Sequence, residues 1–200
     1  MVTPAGVAAV APMLRVHRFL SGSWSNGPGR RAVLWLQGCT LGCPGCFNPE
    51  THSSSGGYWL SVDEVFARIV SLAGAVECVT FSGGEPLQQF QPLSVLVNRL
   101  RRETDLSLLT FTGYTWQEVL SLPHAESLLA CLDVVIAGRY DARQRLAHGL
   151  RGSANQTVHL LTNRYSLADI DAVPPSEVII TGDGQVDISG IDPMSWGNKA

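Results

Sequence analysis

Beyond Ala32 the apolar positions fall into two alternating patterns. Residues 32–36 form a short apolar run with no polar alternation, which predicts a strand covered on both faces. Residues 78–81, 106–111, 133–137 and 157–161 repeat it and predict four further strands. Between these runs the spacing becomes helical. Ser61-Val62-Asp63-Glu64 reads as a capping box, with hydroxyl and carboxylate three residues apart. Val62, Val65, Phe66, Ile69 and Val70 then mark one helix, which Gly74 ends. Leu93, Leu96, Val97 and Leu100 mark a second, and residues 116–129 a third that Pro123 breaks.

Strands separated by helices imply right-handed crossovers and a parallel sheet. About five or six β/α units are too few to close an eight-stranded barrel. The expected fold is therefore α/β, a partial, open (β/α) barrel, with a flat doubly wound sheet as the alternative. Residues 177–181 and 185–189, around Gly182-Asp183-Gly184, predict a C-terminal β-hairpin. No repeat, low-complexity tract or interdomain linker interrupts the chain. Residues 1–13 are small and apolar without the basic start of a signal peptide, and read as a flexible N-terminal extension. Residues 14–200 read as a single domain.

Composition narrows the function. A chain of 200 residues with 45% hydrophobic content can bury one sizeable core. A net charge of −3 gives no electrostatic footprint for nucleic acid or an anionic membrane. No apolar run reaches the length of a bilayer span, so a cytoplasmic protein is expected. The five cysteines are an odd number, and Cys39, Cys43 and Cys46 crowd into one short stretch. Disulfide frameworks spread and pair their cysteines; clustered ones bind metal or do chemistry. Cys78 and Cys131, set apart beside Val79 and Leu132, read as core residues.

Gln37-Gly38-Cys39-Thr40-Leu41-Gly42-Cys43-Pro44-Gly45-Cys46-Phe47 is a CxxxCxxC motif just after the first predicted strand. Gly38, Gly42 and Gly45 let the backbone wrap a bulky inorganic group. Thiolates suit zinc or iron–sulfur clusters. Three ligands on a four-iron cluster leave one iron open to substrate, whereas electron-transfer clusters fill all four positions with cysteine. Structural zinc with His52 as fourth ligand is the alternative, although zinc sites usually come as two spaced ligand pairs. Ser82-Gly83-Gly84-Glu85-Pro86 follows the second strand, offering backbone donors and acceptors and a carboxylate able to pair with an ammonium. Thr112-Gly113-Tyr114 follows the third and Gly138-Arg139-Tyr140 the fourth. Each alone could be a turn; together they fall on one mouth, at the C-terminal ends of parallel strands. His17, His124, His148 and His159 show no ligand spacing and read as structural or surface residues.

CxxxCxxC followed by an aromatic residue resembles the signature of radical S-adenosylmethionine enzymes. Asn26-Gly27-Pro28-Gly29-Arg30-Arg31 and Asn48-Pro49-Glu50-Thr51 are similar to the glycyl-radical-activating branch, especially the activators of anaerobic ribonucleotide reductases. The resemblance covers residues 14–192. It implies a 4Fe-4S cluster on Cys39, Cys43 and Cys46, and S-adenosylmethionine held by its methionine amino end at residues 82–86. Cofactor contacts are implied at Gly45, Phe47, Ser82, Gly83, Gly84, Glu85, Pro86, Thr112, Gly113 and Arg139. Arg139 would supply a cation, since Ala137 stands where the family often has an acid. Arg151-Gly152-Ser153-Ala154-Asn155-Gln156 also resembles the activators and would contact cofactor or partner, or merely connect elements. The implied activity is reductive cleavage of S-adenosylmethionine and hydrogen-atom abstraction, with no acid–base residue. The implied partners are a glycyl-radical enzyme, most plausibly an anaerobic reductase, and an electron donor such as flavodoxin or ferredoxin. A radical enzyme acting on a small biosynthetic molecule and a non-catalytic metal-binding module are the competing readings.

Overall fold

The computed structural model describes residues 11–180, 182 and 184–192. Residues 1–10 of the expected extension, Thr181 at the end of the first expected hairpin strand and Asp183 of its turn lie outside the described residues. The first element is a strand that hydrophobic patterning did not reveal, β1 (Met13–Ser23). Leu14 and Val16 alternate into the core, but a register shift between Val16 and Arg18 then breaks the period of two. β1 pairs antiparallel with β2 (Arg31–Leu36) on one side and with the short β3 (Tyr58–Ser61) on the other. β3 runs straight into α1 (Val62–Val70) through the expected capping box: Glu64 N–H donates to Ser61 Oγ at 3.1 Å, and Ser61 N–H to Glu64 Oε2 at 2.8 Å.

β4 (Cys78–Gly83), α2 (Phe90–Glu103), β5 (Ser107–Thr112) and β6 (Val134–Ala137) follow the sequence pattern closely. The helical stretch between β5 and β6 divides into α3 (Trp116–Leu120) and α4 (Ala125–Leu129), with the break around Pro123. After β6 come a small ribbon, β7 (Arg145–His148) and β8 (Arg151–Ser153), then β9 (Thr157–Leu160) and α5 (Leu167–Asp171). The C-terminal hairpin is present as β10 (Ser176–Ile180) and β11 (Val186–Gly190).

The main sheet has seven strands in the order β3-β1-β2-β4-β5-β6-β9. β2, β4, β5 and β6 run parallel, a smaller parallel core than the five or six strands expected. β9 instead returns antiparallel to β6, pairing Ala137 with Thr157. A parallel strand needs a crossover that carries the chain back to its starting end. A short 3-10 turn (Ala142–Gln144) and the β7–β8 ribbon separate β6 from β9, with no crossover helix, so the chain re-enters the sheet at the end it left.

One face of the sheet, with Leu34, Leu36, Val79, Phe81, Leu108 and Val135, packs against α1–α4. Full burial of each such side chain contributes about 1.5–3 kcal/mol relative to exposure. The opposite face carries a smaller cluster of Leu109, Val134 and Ile136 with Leu150, Ile170 and Val173. Near the N-terminal ends of the parallel strands, Arg31 is fully buried. Its guanidinium donates to Thr80 Oγ1 at 2.6 Å and to the carbonyls of Pro28 and Val79, each at 2.8 Å. Cys78 is buried as expected; Cys131 is half-buried, its thiol directed at Asn98 Oδ1. Among the described residues no helix is long and apolar enough to cross a membrane.

Asp133 ties α2 to the β5–β6 pair. It accepts from Arg101 at 2.7 Å, from Leu108 N–H at 2.8 Å and from the Thr162 hydroxyl at 2.8 Å. Burial pushes its carboxyl up, but these three donors outweigh burial and hold it below the usual range. Asp133→Asn should lower stability by about 2–3 kcal/mol at neutral pH, because a buried donor and a guanidinium lose their acceptor. A depressed folded pKa contributes stability present above the unfolded value of about 4 and lost as pH falls through the folded one. Urea midpoints of wild type and variant should therefore differ at pH 7 and converge on acidification.

Candidate active site

The chain leaves β2 at Leu36 and immediately enters the cysteine loop. The neck of that loop is drawn shut by Gly38 N–H donating to the Thr51 carbonyl at 2.7 Å and Cys39 N–H to the His52 carbonyl at 3.2 Å. A short 3-10 turn at Pro49–Thr51 closes the return path, with buried Thr51 donating its hydroxyl to the Asn48 carbonyl at 2.7 Å. Gln37, 2% exposed, ties both sides of the neck: its amide nitrogen donates to the carbonyls of Ser53 at 2.8 Å and Glu50 at 3.2 Å.

The end of β4 lies directly against this neck. Gly84 N–H donates to the Leu36 carbonyl at 2.8 Å and Glu85 N–H to the Gly38 carbonyl at 2.9 Å. A Cβ at Gly83 would come within 2.5 Å of the Leu36 backbone, in a residue whose φ of +103° already disfavours side chains. A Cβ at Gly84 would strike the Gly38 carbonyl oxygen and sit 2.8 Å from its carbon. The glycine pair is thus required by backbone packing against the cysteine loop, besides any contact it makes with a ligand.

Glu85 is fully buried. Its carboxylate accepts from Leu87 N–H at 2.9 Å, the Thr112 hydroxyl at 2.8 Å and Gly113 N–H at 2.7 Å. It therefore straps the β4 end to the β5 end. Burial drives its pKa up to about 7 despite these lowering donors. An ammonium group brought beside it would restore the charged form.

These segments line one cavity of about 360 Å³ on the sheet face turned away from α1–α4. Cys39, Cys43, Cys46, Phe47, Ser82, Gly83, Gly84, Glu85, Thr112 and Gly113 all border it. The three cysteines are half-buried. Desolvation raises the Cys39 and Cys46 thiols, so a positively charged centre is needed to hold them as thiolates. Asn48 N–H is directed at Cys46 Sγ at 3.5 Å, orienting that sulfur. Among the described residues no group of His, Cys, Asp and Glu gathers closely enough to hold a single metal ion. The donor set, three sulfurs around one open cavity with His52 outside its lining, fits a cluster bound by cysteine alone.

Gly45, Pro86 and Arg139 do not border the cavity. Arg139 instead forms a two-pronged pair with Glu118, at 2.7 and 3.0 Å, which holds the Glu118 carboxyl down to about 2. Its neighbours Gly138 and Tyr140 do line the cavity, as do Gly152 and Gln156. Tyr140 packs on Phe47 with ring centroids 4.2 Å apart, and Gly152 leaves room for Phe47, whose ring lies 2.5 Å from where a Cβ would stand. Gln156 fixes this wall by accepting from Gly152 N–H and donating to the Gly138 carbonyl, at 2.8 and 2.9 Å.

Other parts of the lining went unread in the sequence: His17 and Arg18 from β1, Trp35 from β2, Phe111 from β5, and residues 188–191 at the end of the chain's described part. Trp35 and Phe111 carried a signal, since each lies in an apolar run read as a strand covered on both faces, where neighbouring residues face opposite sides. His17 carried none, because its strand was not recognised. His159 has a structural setting, stacked on Trp116 with centroids 3.8 Å apart.

Residues 25–159 match the family model described as a 4Fe-4S single cluster domain. The chain is 32% identical over 157 residues to the anaerobic ribonucleoside-triphosphate reductase-activating protein of Vibrio cholerae, covering 74% of this chain and 99% of that one. Its identity to the protein of that name from Haemophilus influenzae is 34% over 142 residues, covering 67% and 90%. A pyruvate formate-lyase-activating enzyme of Clostridium pasteurianum is 31% identical over 115 residues, covering 54% and 48%.

Gly84→Ala tests the packing of the glycine pair. The overlap with Gly38 should destabilise the protein by about 1–3 kcal/mol and displace the cysteine loop. Iron retained after anaerobic reconstitution should fall well below wild type while far-ultraviolet circular dichroism is kept. Gly182→Ala, where no atom of the described residues lies within 4 Å of the added carbon, should leave both unchanged.

Proposed function

The chain belongs to the radical S-adenosylmethionine enzymes, in the branch that activates glycyl-radical enzymes, and from that premise we propose that it installs a glycyl radical on an anaerobic ribonucleotide reductase. Its cofactors are a 4Fe-4S cluster and S-adenosylmethionine. The observation that carries the reading is one cavity shared by the three cysteines of the CxxxCxxC loop and by the Ser82–Glu85 and Thr112-Gly113 loops. Similarity to the reductase activators over nearly their whole length supports the choice of partner.

In this reading Cys39, Cys43 and Cys46 ligate the cluster and leave one iron without a protein donor. Held by these cysteines and by the loop of residues 82–86, the cluster and S-adenosylmethionine would together supply one-electron reductive cleavage of the sulfonium and abstraction of the glycine hydrogen atom. The protein's own residues position the reactants and exclude water. Gly83 and Gly84 let the backbone approach the cofactor, Glu85 lies ready to balance its ammonium, and Phe47 with Tyr140 forms a dry wall. A cavity of about 360 Å³ is in the range of small-molecule sites. Placement of α1–α4 on one face of the sheet, with the cavity on the other, supports a curled, partly open barrel. A flavodoxin or ferredoxin would deliver the electron.

Two measurements test this. Anaerobic electron paramagnetic resonance of the reconstituted protein with a candidate reductase, S-adenosylmethionine and reductant should give a carbon-centred doublet on the reductase. Deoxyadenosine formation with no radical on any glycyl-radical partner would move the substrate to a small molecule. Cys39→Ala, Cys43→Ala and Cys46→Ala should each abolish cluster assembly or cofactor cleavage. Cys78→Ala and Cys131→Ala should leave both, with packing losses of about 1 kcal/mol. Identical behaviour of all five variants would refute the ligand assignment.

A further inference from the structure

The side chain of Gln37 fixes the protonation pattern of His17. Its amide nitrogen must face the Ser53 and Glu50 carbonyls, at 2.8 and 3.2 Å, because carbonyls only accept. Its amide oxygen therefore faces His17 Nδ1, at 2.8 Å. That oxygen cannot donate, so the hydrogen bond requires a proton on Nδ1. Gln37 is 2% exposed, which leaves little room for water to stand in for any of these partners. A neutral imidazole carries one proton, so Nε2 is left as a bare acceptor on a side chain that borders the cavity.

The position of His17 says what it faces. Apart from Gly45 and Phe47 in the loop after β2, the expected cofactor contacts follow β4, β5 and β6, and β1 lies on the far side of β2 from those strands. The second reactant, rather than S-adenosylmethionine, is the occupant for that wall. Beside His17, the charge of Arg18 is met by Asp187 at 2.6 Å and its guanidinium lies 5.4 Å from the Trp35 ring centre. Ile188, Ser189, Gly190 and Ile191 complete the wall, and the Ser189 hydroxyl is already engaged as acceptor from the Asn26 amide at 2.6 Å. A neutral acceptor, a mutually paired serine and asparagine, a closed ion pair and apolar flanks offer no free cation and do not suit a phosphate or carboxylate. They suit an uncharged polypeptide backbone, whose N–H groups are donors.

We propose that His17 Nε2 accepts a backbone N–H from the partner's glycine-bearing segment and so sets its position in the cavity. This contact rests on the proposed function above. The test uses the full chain, reconstituted anaerobically, as wild type, His17→Phe and His17→Gln. Phe keeps the ring and removes the acceptor; the carboxamide oxygen of Gln can take the place of Nε2. His17→Phe should raise KM for the reductase about three- to tenfold, the effect of one lost hydrogen bond, with kcat nearly unchanged. His17→Gln should recover most of the lost KM, a rescue that a loss of packing alone would not give. Nitrogen-15 NMR of the histidine-labelled protein should show His17 protonated at Nδ1 and bare at Nε2. A wild-type radical signal with unaltered KM in His17→Phe overturns the contact alone, as does a proton found on Nε2 or a variant that loses cofactor affinity. Failure of the wild type to form any glycyl radical overturns the proposed function and this contact with it.

Discussion

The backbone of Gly83-Gly84 rests on the backbone of residues 35–38 with no side chain between them, and the site is organised around that contact. Two hydrogen bonds, Gly84 N–H to Leu36 and Glu85 N–H to Gly38, extend the β2–β4 pairing past the strand ends into the cysteine loop. The position of Cys39 is thereby set by the rigid parallel core rather than by the loop itself. From the same point Glu85 reaches sideways to Thr112 and Gly113, so the β5 loop is placed by the strand that places the cysteines. Preorganisation of this kind matters where the chain's main work is to hold reactive groups in register.

The surroundings of the cavity are electrostatically sparing. Arg139 is answered by Glu118 and Arg18 by Asp187, so neither leaves its charge open toward the cavity. Burial raises Cys39, Cys46 and Glu85 toward their neutral forms. A cationic cluster core and a cofactor ammonium would reverse those shifts, which couples their binding to deprotonation of the groups that receive them. Below the cavity Arg31 is buried against hydroxyls and carbonyls only, which stiffens the start of β2 without placing a carboxylate near the site.

Much of this was legible in the sequence for identifiable reasons. The apolar runs at β2, β4, β5 and β6 announce buried strands because helices cover one face and the cavity wall the other. The motifs at their ends converge because parallel strands put their C-terminal ends together. β1 was not legible, since its register shift after Val16 scrambles the alternation and its arginines and histidine read as surface. The direction of β9 was not legible either, because apolar spacing says that a strand forms but not which way it enters a sheet. Arg139 shows the limit of motif transfer: its place beside Gly138 and Tyr140 is as expected, yet its charge is taken by Glu118, three residues beyond the cap of α3. His17 became visible only once Gln37 was seen to hold it.

The central claim is that three cysteines, locked in place by the glycine pair, hold a cluster with one iron left for S-adenosylmethionine. Mössbauer spectroscopy of protein reconstituted anaerobically with iron-57 tests it most directly. One of about four iron sites should change its parameters when S-adenosylmethionine is added, while the others stay as they were. A spectrum in which no site responds to the cofactor, or a protein that retains zinc in place of the cluster, would contradict it.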